Sequence, residues 1–457
     1  MGTNVKESGK SLNPANRGSD IFYLPAMRKK LLSEGSKEFK YEIREIVKKA
    51  NRLKAMGLTI HWENIGDPIE KKCQIPTWIK DIMAGLVQQS SSYGYCHSKG
   101  VLATREFLCG KTNALGGAQI TPEDILFCNG LGDAISTTYQ LLDITSRVIG
   151  PSPAYSTHSS AEAAHANTEP ITYRLDPANH WYPDLEELEN KVKYNPNIAG
   201  ILIINPDNPT GMVYPLESLK KIIEIAKKYK VFVISDEIYN KIVYNGAKSY
   251  ALAEYIENVP GIAMKGLSKE VPWPGSRCGW MEFYNKDKDP EFAAFCSALD
   301  NAKMIEVCST TLPQLALPLI LGDGRYETHR ANLNEQIGRR SALINKILGE
   351  VPELMFNPTY GAFYNSIIFR DGVLNNEQTL PIENPKIKAK VEEWCQGVNP
   401  DYRFVYYLLG ATGICVVPMS SFCSELLGFR ITILEEDEEE LVKVFTSLRD
   451  AIKSYVG

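Results

Sequence analysis

The chain has 457 residues, about three domains' worth at roughly 150 residues each, or one wide domain with a smaller companion. Its 50 Lys+Arg against 55 Asp+Glu leave a formal net charge of −5, which argues against nucleic acid as a partner, since polyanion binders carry a basic face. With 44% hydrophobic and 23% charged residues, the composition excludes wholesale disorder and allows a large core.

Residues 1–20 are polar, carry no apolar stretch of the secretory type, and read as a flexible arm. Between 37 and 56, Ile43, Ile46, Val47, Ala50 and Leu53 recur with helical spacing. Beyond them short apolar runs end at 125–128, 147–150, 201–204, 231–235 and 261–265, with helical patterns at 134–142, 184–192 and 216–228. Near-continuous apolar strands separated by helices predict an α/β protein whose mostly parallel sheet is flanked by helices. In such sheets ligands sit beyond the carboxyl ends of the strands, so the residues just after each run are the ones to weigh.

After about residue 285 the pattern turns helical, over 290–305 and 313–349. The stretches 360–369, 413–418 and 429–434 then read as strands, and a helix over 437–455 closes the chain. The acidic run 435–440 reads as first-turn charge that complements that helix's dipole. No role follows for the stretch 371–402. No apolar run nears the ~20 residues of a membrane span, so no membrane partner is expected. Ten cysteines without a CxxC pair and six scattered histidines give no metal spacing, so the thiols read as buried and reduced and the setting as cytoplasmic.

Four sites fall at those strand ends. Asn205 to Gly211, NPDNPTG, forces a turn and places the Asn208 amide at the sheet edge; turn chemistry alone also explains it. In Ser235-Asp236-Glu237-Ile238-Tyr239 the Asp is either a helix N-cap or a carboxylate buried against a cation. Gly266-Leu267-Ser268-Lys269, followed by Pro274, Gly275 and Arg277, offers a lysine that is either a solvated charge or a desolvated nucleophile. Asn129-Gly130-Leu131-Gly132-Asp133 lies between a strand and a helix, where backbone N–H groups can meet an anion. A lysine, an acid, an anion-binding turn and an arginine are together the parts that a pyridoxal 5'-phosphate site requires.

As an ordered set these motifs, with a late Phe429-Arg430-Ile431, resemble the fold-type I aminotransferases of class I/II from about Phe39 to the C-terminus. The resemblance implies a large cofactor-binding domain over 76–335. A smaller α+β domain would come from both chain ends, 1–75 (with the N-terminal arm) and 336–457. It implies that Lys269 is the Schiff-base lysine, Asp236 the partner of the pyridine nitrogen, and Tyr155 the ring-stacking aromatic. Asn208 and Tyr239 would face the cofactor's 3-oxygen. Gly130, Leu131, Gly132, Ser268 and Arg277 would hold the phosphate, joined by Tyr95 from a neighbouring subunit, which implies a homodimer with shared active sites. Arg430 would clamp the substrate α-carboxylate, with Gly66 and Asn208 beside it. Gly266 departs from the family, where Ser is common and adds a phosphate hydrogen bond.

The stretches Tyr41-Glu42-Ile43-Arg44, 94–100, 181–185 and Gly266-Leu267-Ser268-Lys269 look like those of bacterial alanine (glutamate–pyruvate) transaminases. That implies ping-pong transfer between an L-amino acid and a 2-oxo acid, alanine and glutamate with pyruvate and 2-oxoglutarate, with Arg44 as a second contact for a dicarboxylate. An exposed helix charge is the alternative reading of Arg44. The same scaffold also supports aspartate or aromatic aminotransferases, β-lyases and ligand-sensing regulators. A regulator would need a DNA-binding module, for which the polar residues before the resemblance are too few.

Overall fold

In the computed structural model, which describes residues 29, 31–32, 34–38 and 42–457, the described residues build one eight-stranded sheet, one four-stranded sheet and a two-stranded pair. The expected arm over 1–20, Phe39 and Tyr41 lie outside the described residues.

The large sheet has eight strands, in the order Ile125–Cys128, Gly279–Tyr284, Gly261–Gly266, Phe232–Asp236, Ile198–Ile204, Arg147–Ser152, Thr172–Asp176 and Tyr182–Pro183. Gly279–Tyr284 and Tyr182–Pro183 run against the other six. The apolar runs follow from cover on both faces. Ile201 and Ile203 join one hydrophobic cluster while Leu202 and Ile204 join another, as the two-residue period of a strand requires. The helix Leu216–Tyr229 buries Leu219, Ile222, Ile223 and Ala226 and ends at Lys230, whose φ of 58° is left-handed.

Strand 279–284 was not foreseen. It lies antiparallel to both neighbours, with Gly279 opposite Gly266 and Cys128. Because it begins where the parallel strands end, the residues before it, Arg277 among them, arrive at the same edge as Asp236 and Lys269.

The second sheet is antiparallel, in the order Leu354–Met355, Tyr364–Phe369, Gly428–Thr432 and Val417–Pro418. The strand His61–Trp62 pairs in parallel with Ile414–Cys415, so both chain ends contribute to this smaller α+β unit. The stretch expected as one strand over 413–418 is therefore two pieces with different partners. The helix expected over 313–349 is also two, Thr311–Leu321 and Gly324–Leu348, broken at Gly322 where Asp323 accepts from Arg325 N–H and starts the next helix. The second of these runs unbroken through residue 335, the position expected to divide the two domains.

Residues 371–402 extend the smaller unit's core. Leu374, Leu380, Ile387 and Val391 are buried, and Lys49, from the helix Glu42–Ala55, sits 4.8 Å over the Trp394 ring. The acidic run does start a helix: the Asp437 carboxylate accepts from Glu439 and Glu440 N–H at the head of Glu438–Val456. Among the described residues no disulfide joins the ten cysteines; six are buried, but Cys423 is exposed. Among the described residues no single helix is long and apolar enough to cross a membrane.

Candidate active site

At the end of strand Ile198–Ile204 the turn is closed from within. Asp207 Oδ2 accepts from Thr210 N–H at 3.0 Å and from Thr210 Oγ1 at 2.5 Å. Gly211 has a φ of +72°, and a Cβ there would lie 2.2 Å from the Tyr364 carbonyl oxygen, so only glycine fits. Burial lifts the Asp207 carboxyl to about 7, against the Thr210 hydrogen bonds and helped by the nearby Asp236 charge. The turn holds Asn208 buried, with its Oδ1 accepting from Arg430 Nη1 at 3.2 Å.

Asp236 ends its strand almost wholly buried, and a turn, not a helix, follows it, so the N-cap reading does not hold. Its Oδ1 accepts from Ile238 N–H at 3.1 Å, and its Oδ2 lies 3.0 Å from His158 Nε2. His158 is itself buried, on the helix Ser156–Ala166.

Lys269 follows strand Gly261–Gly266 and is no solvated charge. Its Nζ donates to the Gly66 carbonyl at 2.6 Å and lies 5.9 Å from the Tyr239 ring and 5.6 Å from that of Phe363. Burial pulls the ammonium down to about 8; the Arg430 and Arg277 charges push the same way, and Asp67 and Asp236 oppose them. The buried Tyr239 hydroxyl meets that of Tyr364 at 2.9 Å, and burial first, then Tyr364, raise the Tyr239 phenol well above its ordinary range.

Gly130, with a φ of +83°, caps the helix Leu131–Gln140. A Cβ on it would lie 2.6 Å from Arg277 Nη2, which itself donates to the Asn129 carbonyl at 3.1 Å. Leu131 and Gly132 line the cavity with the first helical N–H groups, which have no partner inside a helix. Lys303 neutralises Asp133 of that first turn at 2.8 Å. Opposite, Arg430 is buried in strand Gly428–Thr432, where its Nη2 donates to the Asn64 carbonyl at 2.6 Å. Its guanidinium carbon lies 4.5 Å from the Tyr364 ring centre and 5.0 Å from that of Phe422.

One cavity of about 700 Å³ gathers Leu131, Gly132, Tyr155, Asn208, Asp236, Tyr239, Ser268, Lys269, Arg277, Arg430, Gly66 and, at its rim, the exposed Arg44. Gly130 stands directly behind it through its contact with Arg277. Tyr95 stands apart, 86% exposed and outside this wall. Sequence reasoning missed His158, Tyr364 and Asn64. A lone histidine three positions after Tyr155 gives no chemical signal, whereas Tyr364 did fall in a strand already expected.

The family profile described as aminotransferase class I and II matches residues 64–445. The chain belongs to this family. It is 51% identical, over 94% of its length and 100% of the relative's, to a protein of Methanocaldococcus jannaschii described as an uncharacterized aminotransferase. It is 32% identical to the glutamate-pyruvate aminotransferase AlaA of Escherichia coli K12, over 68% of this chain and 76% of that protein. Among solved structures, an alanine aminotransferase from Pyrococcus furiosus superposes with a TM-score of 0.80 at 26% identity, covering 92% of this chain and 99% of that one.

This aminotransferase acts on amino-acid and 2-oxo-acid substrates and depends on pyridoxal 5'-phosphate, as its family does. The site's own features suit that group. A glycine-capped helix N-terminus beside Arg277 makes an anion cradle, Lys269 offers an amine whose ammonium burial depresses to about 8, and Asp236 presents a fixed carboxylate to the cavity. Gly266 does lack the common Ser hydroxyl: a Cβ there would sit 3.0 Å from the Cys278 carbonyl and 3.1 Å from Leu131 Cδ1, a tight fit that favours glycine.

Proposed function

We propose that this aminotransferase exchanges the amino group between alanine or glutamate and the corresponding 2-oxo acids. Leu131, Gly132, Ser268 and Arg277 would hold the cofactor phosphate, Tyr155 would cover the ring, Asn208 and Tyr239 would face its 3-oxygen, and Asp236 would keep its ring nitrogen protonated. When bound, the cofactor supplies an aldehyde that condenses with amines and a ring that takes up the electrons released at the substrate's α-carbon. Arg430 receives the α-carboxylate through two parallel N–H donors, beside the Gly66 turn. Lys269 Nζ then removes the α-proton as general base; its depressed basicity leaves a useful neutral fraction near pH 8. The observation that carries this reading is the convergence of Lys269, Asp236, Arg277 and Arg430 on one cavity.

Alanine and glutamate are favoured by the likeness to AlaA and by the position of Arg44 at the cavity rim, where it can meet a second carboxylate. The same reading divides the chain near residues 75 and 335. It makes the protein a homodimer in which Tyr95 reaches the partner's phosphate site. Tyr93, Tyr95, Met304, Ile305 and Val307 support this as exposed apolar side chains, and Thr311 Oγ1 ties their two segments together by donating to the Gly94 carbonyl at 2.9 Å. Ten cysteines that form no disulfide among the described residues fit a reducing, cytoplasmic setting.

The visible absorbance of cofactor-loaded protein before and after L-alanine tests the proposal. A yellow band that alanine removes supports cofactor roles and substrate together. A band indifferent to alanine but removed by another amino acid ends the alanine assignment.

A further inference from the structure

Tyr364 touches three parts of the site at once. It opens strand Tyr364–Phe369 opposite Thr432, two residues from Arg430 on the paired strand. Its ring lies 4.5 Å from the Arg430 guanidinium carbon, and its hydroxyl lies 2.9 Å from that of Tyr239. The same hydroxyl fills the place of a side chain at position 66: a Cβ on Gly66 would lie 1.9 Å from Tyr364 Oη. A side chain at 66 would therefore have to displace the Tyr364 hydroxyl.

Each phenol carries one proton, and one hydrogen bond joins the pair. If Tyr239 directs its proton at the cofactor's 3-oxygen, it can only accept from Tyr364. A hydroxyl that accepts a hydrogen bond becomes a stronger donor, more so in a buried site. Several groups among the described residues face this pair. Phe363 packs edge-on against Tyr239, Lys269 Nζ lies 5.9 Å from its ring, Tyr155 and Asp236 act on it at longer range, and Arg430 lies over Tyr364.

We infer that Tyr364 is a positioning residue that donates its hydroxyl proton to Tyr239 Oη, strengthening Tyr239 as donor to the cofactor while its ring supports Arg430. The inference rests on the proposed role of Tyr239 and deepens it: one side chain couples the carboxylate clamp to the cofactor's 3-oxygen.

The test is a pH titration of the visible band of pyridoxal 5'-phosphate-loaded wild type and Tyr364→Phe, with succinate as an unreactive carboxylate probe. The Phe variant keeps the ring and loses only the hydroxyl. A weaker donor at the 3-oxygen stabilises the phenolate less, so the band should change at a pH roughly half a unit higher than in wild type. Succinate affinity should stay within about twofold, because the ring beneath Arg430 remains. Tyr364→Leu should show the same raised midpoint and also bind succinate several-fold more weakly. An unchanged midpoint in Tyr364→Phe overturns the inference, as does a raised midpoint accompanied by lost succinate binding, which would mark general disruption. If wild type itself forms no visible band, the cofactor roles fall and this inference with them.

Discussion

The imidazole Nε2 of His158 lies 3.0 Å from Asp236 Oδ2, and both side chains are almost wholly buried. With Oδ1 held by Ile238 N–H, the histidine fixes the remaining rotation of the carboxylate. His158→Phe preserves an aromatic volume but strips Oδ2 of its partner, at a cost of about 1–3 kcal/mol. Denaturant titration of the cofactor-free variant should show that loss, and fluorescence titration should show cofactor binding weakened about tenfold. His158→Gln, which keeps an N–H donor, should recover part of both.

Lys269 supplies a prediction in pH. Its ammonium is depressed to about 8, chiefly by burial, so the neutral amine becomes the major form only above that value. Only the neutral amine adds to an aldehyde. Capture of pyridoxal 5'-phosphate by cofactor-free protein should therefore accelerate about tenfold per pH unit below 8 and level off above it. A rate still climbing steeply beyond pH 9 would place the amine in an ordinary, solvated state. Lys269→Ala should lose at least about a thousandfold in turnover while still holding the cofactor noncovalently, read from its spectrum and from dialysis. Near-normal turnover by that variant would remove Lys269 from the chemistry.

Arg430 combines burial, a hydrogen bond to the Asn64 carbonyl and two aromatic neighbours. Lysine keeps the charge but not the planar fork. Arg430→Lys should lower kcat/KM for the amino acid on the order of a hundredfold, mostly through KM, with cofactor affinity little changed. Steady-state kinetics beside a cofactor titration separates the two effects, and an equal loss in both would mean that Arg430 mainly holds the fold.

Arg44 is exposed at the cavity rim on the helix Glu42–Ala55, the position from which the proposed contact with a second carboxylate would be made. Arg44→Gln should lower kcat/KM for glutamate about tenfold and leave that for alanine within about twofold, the cost of one partly screened ion pair. Equal values for glutamate before and after substitution would return Arg44 to an ordinary surface charge.

Much of this protein was legible in its sequence because the chemistry sits where the chain changes periodicity. Strand ends at 128, 204, 236 and 266 are marked by apolar runs giving way to Gly, Pro, Asn and Asp, and those turns carry Gly130, Asn208, Asp236 and Lys269 in order. Local rules of strand, turn and helix N-terminus are enough to place such residues at one sheet edge. Tertiary structure decided what depends on strand direction and on pairing across long separations. The reversed strand Gly279–Tyr284 brings Arg277 to the cavity beside Gly130, although its apolar content says nothing of its direction. His158 reaches Asp236 across 78 residues, and Tyr364 meets Tyr239 across 125. Gly66 lies against the Tyr364 hydroxyl, which belongs to a distant part of the sequence. A side chain's spacing reports which face of its own element it occupies, but its partner on another element is settled only when the two pack.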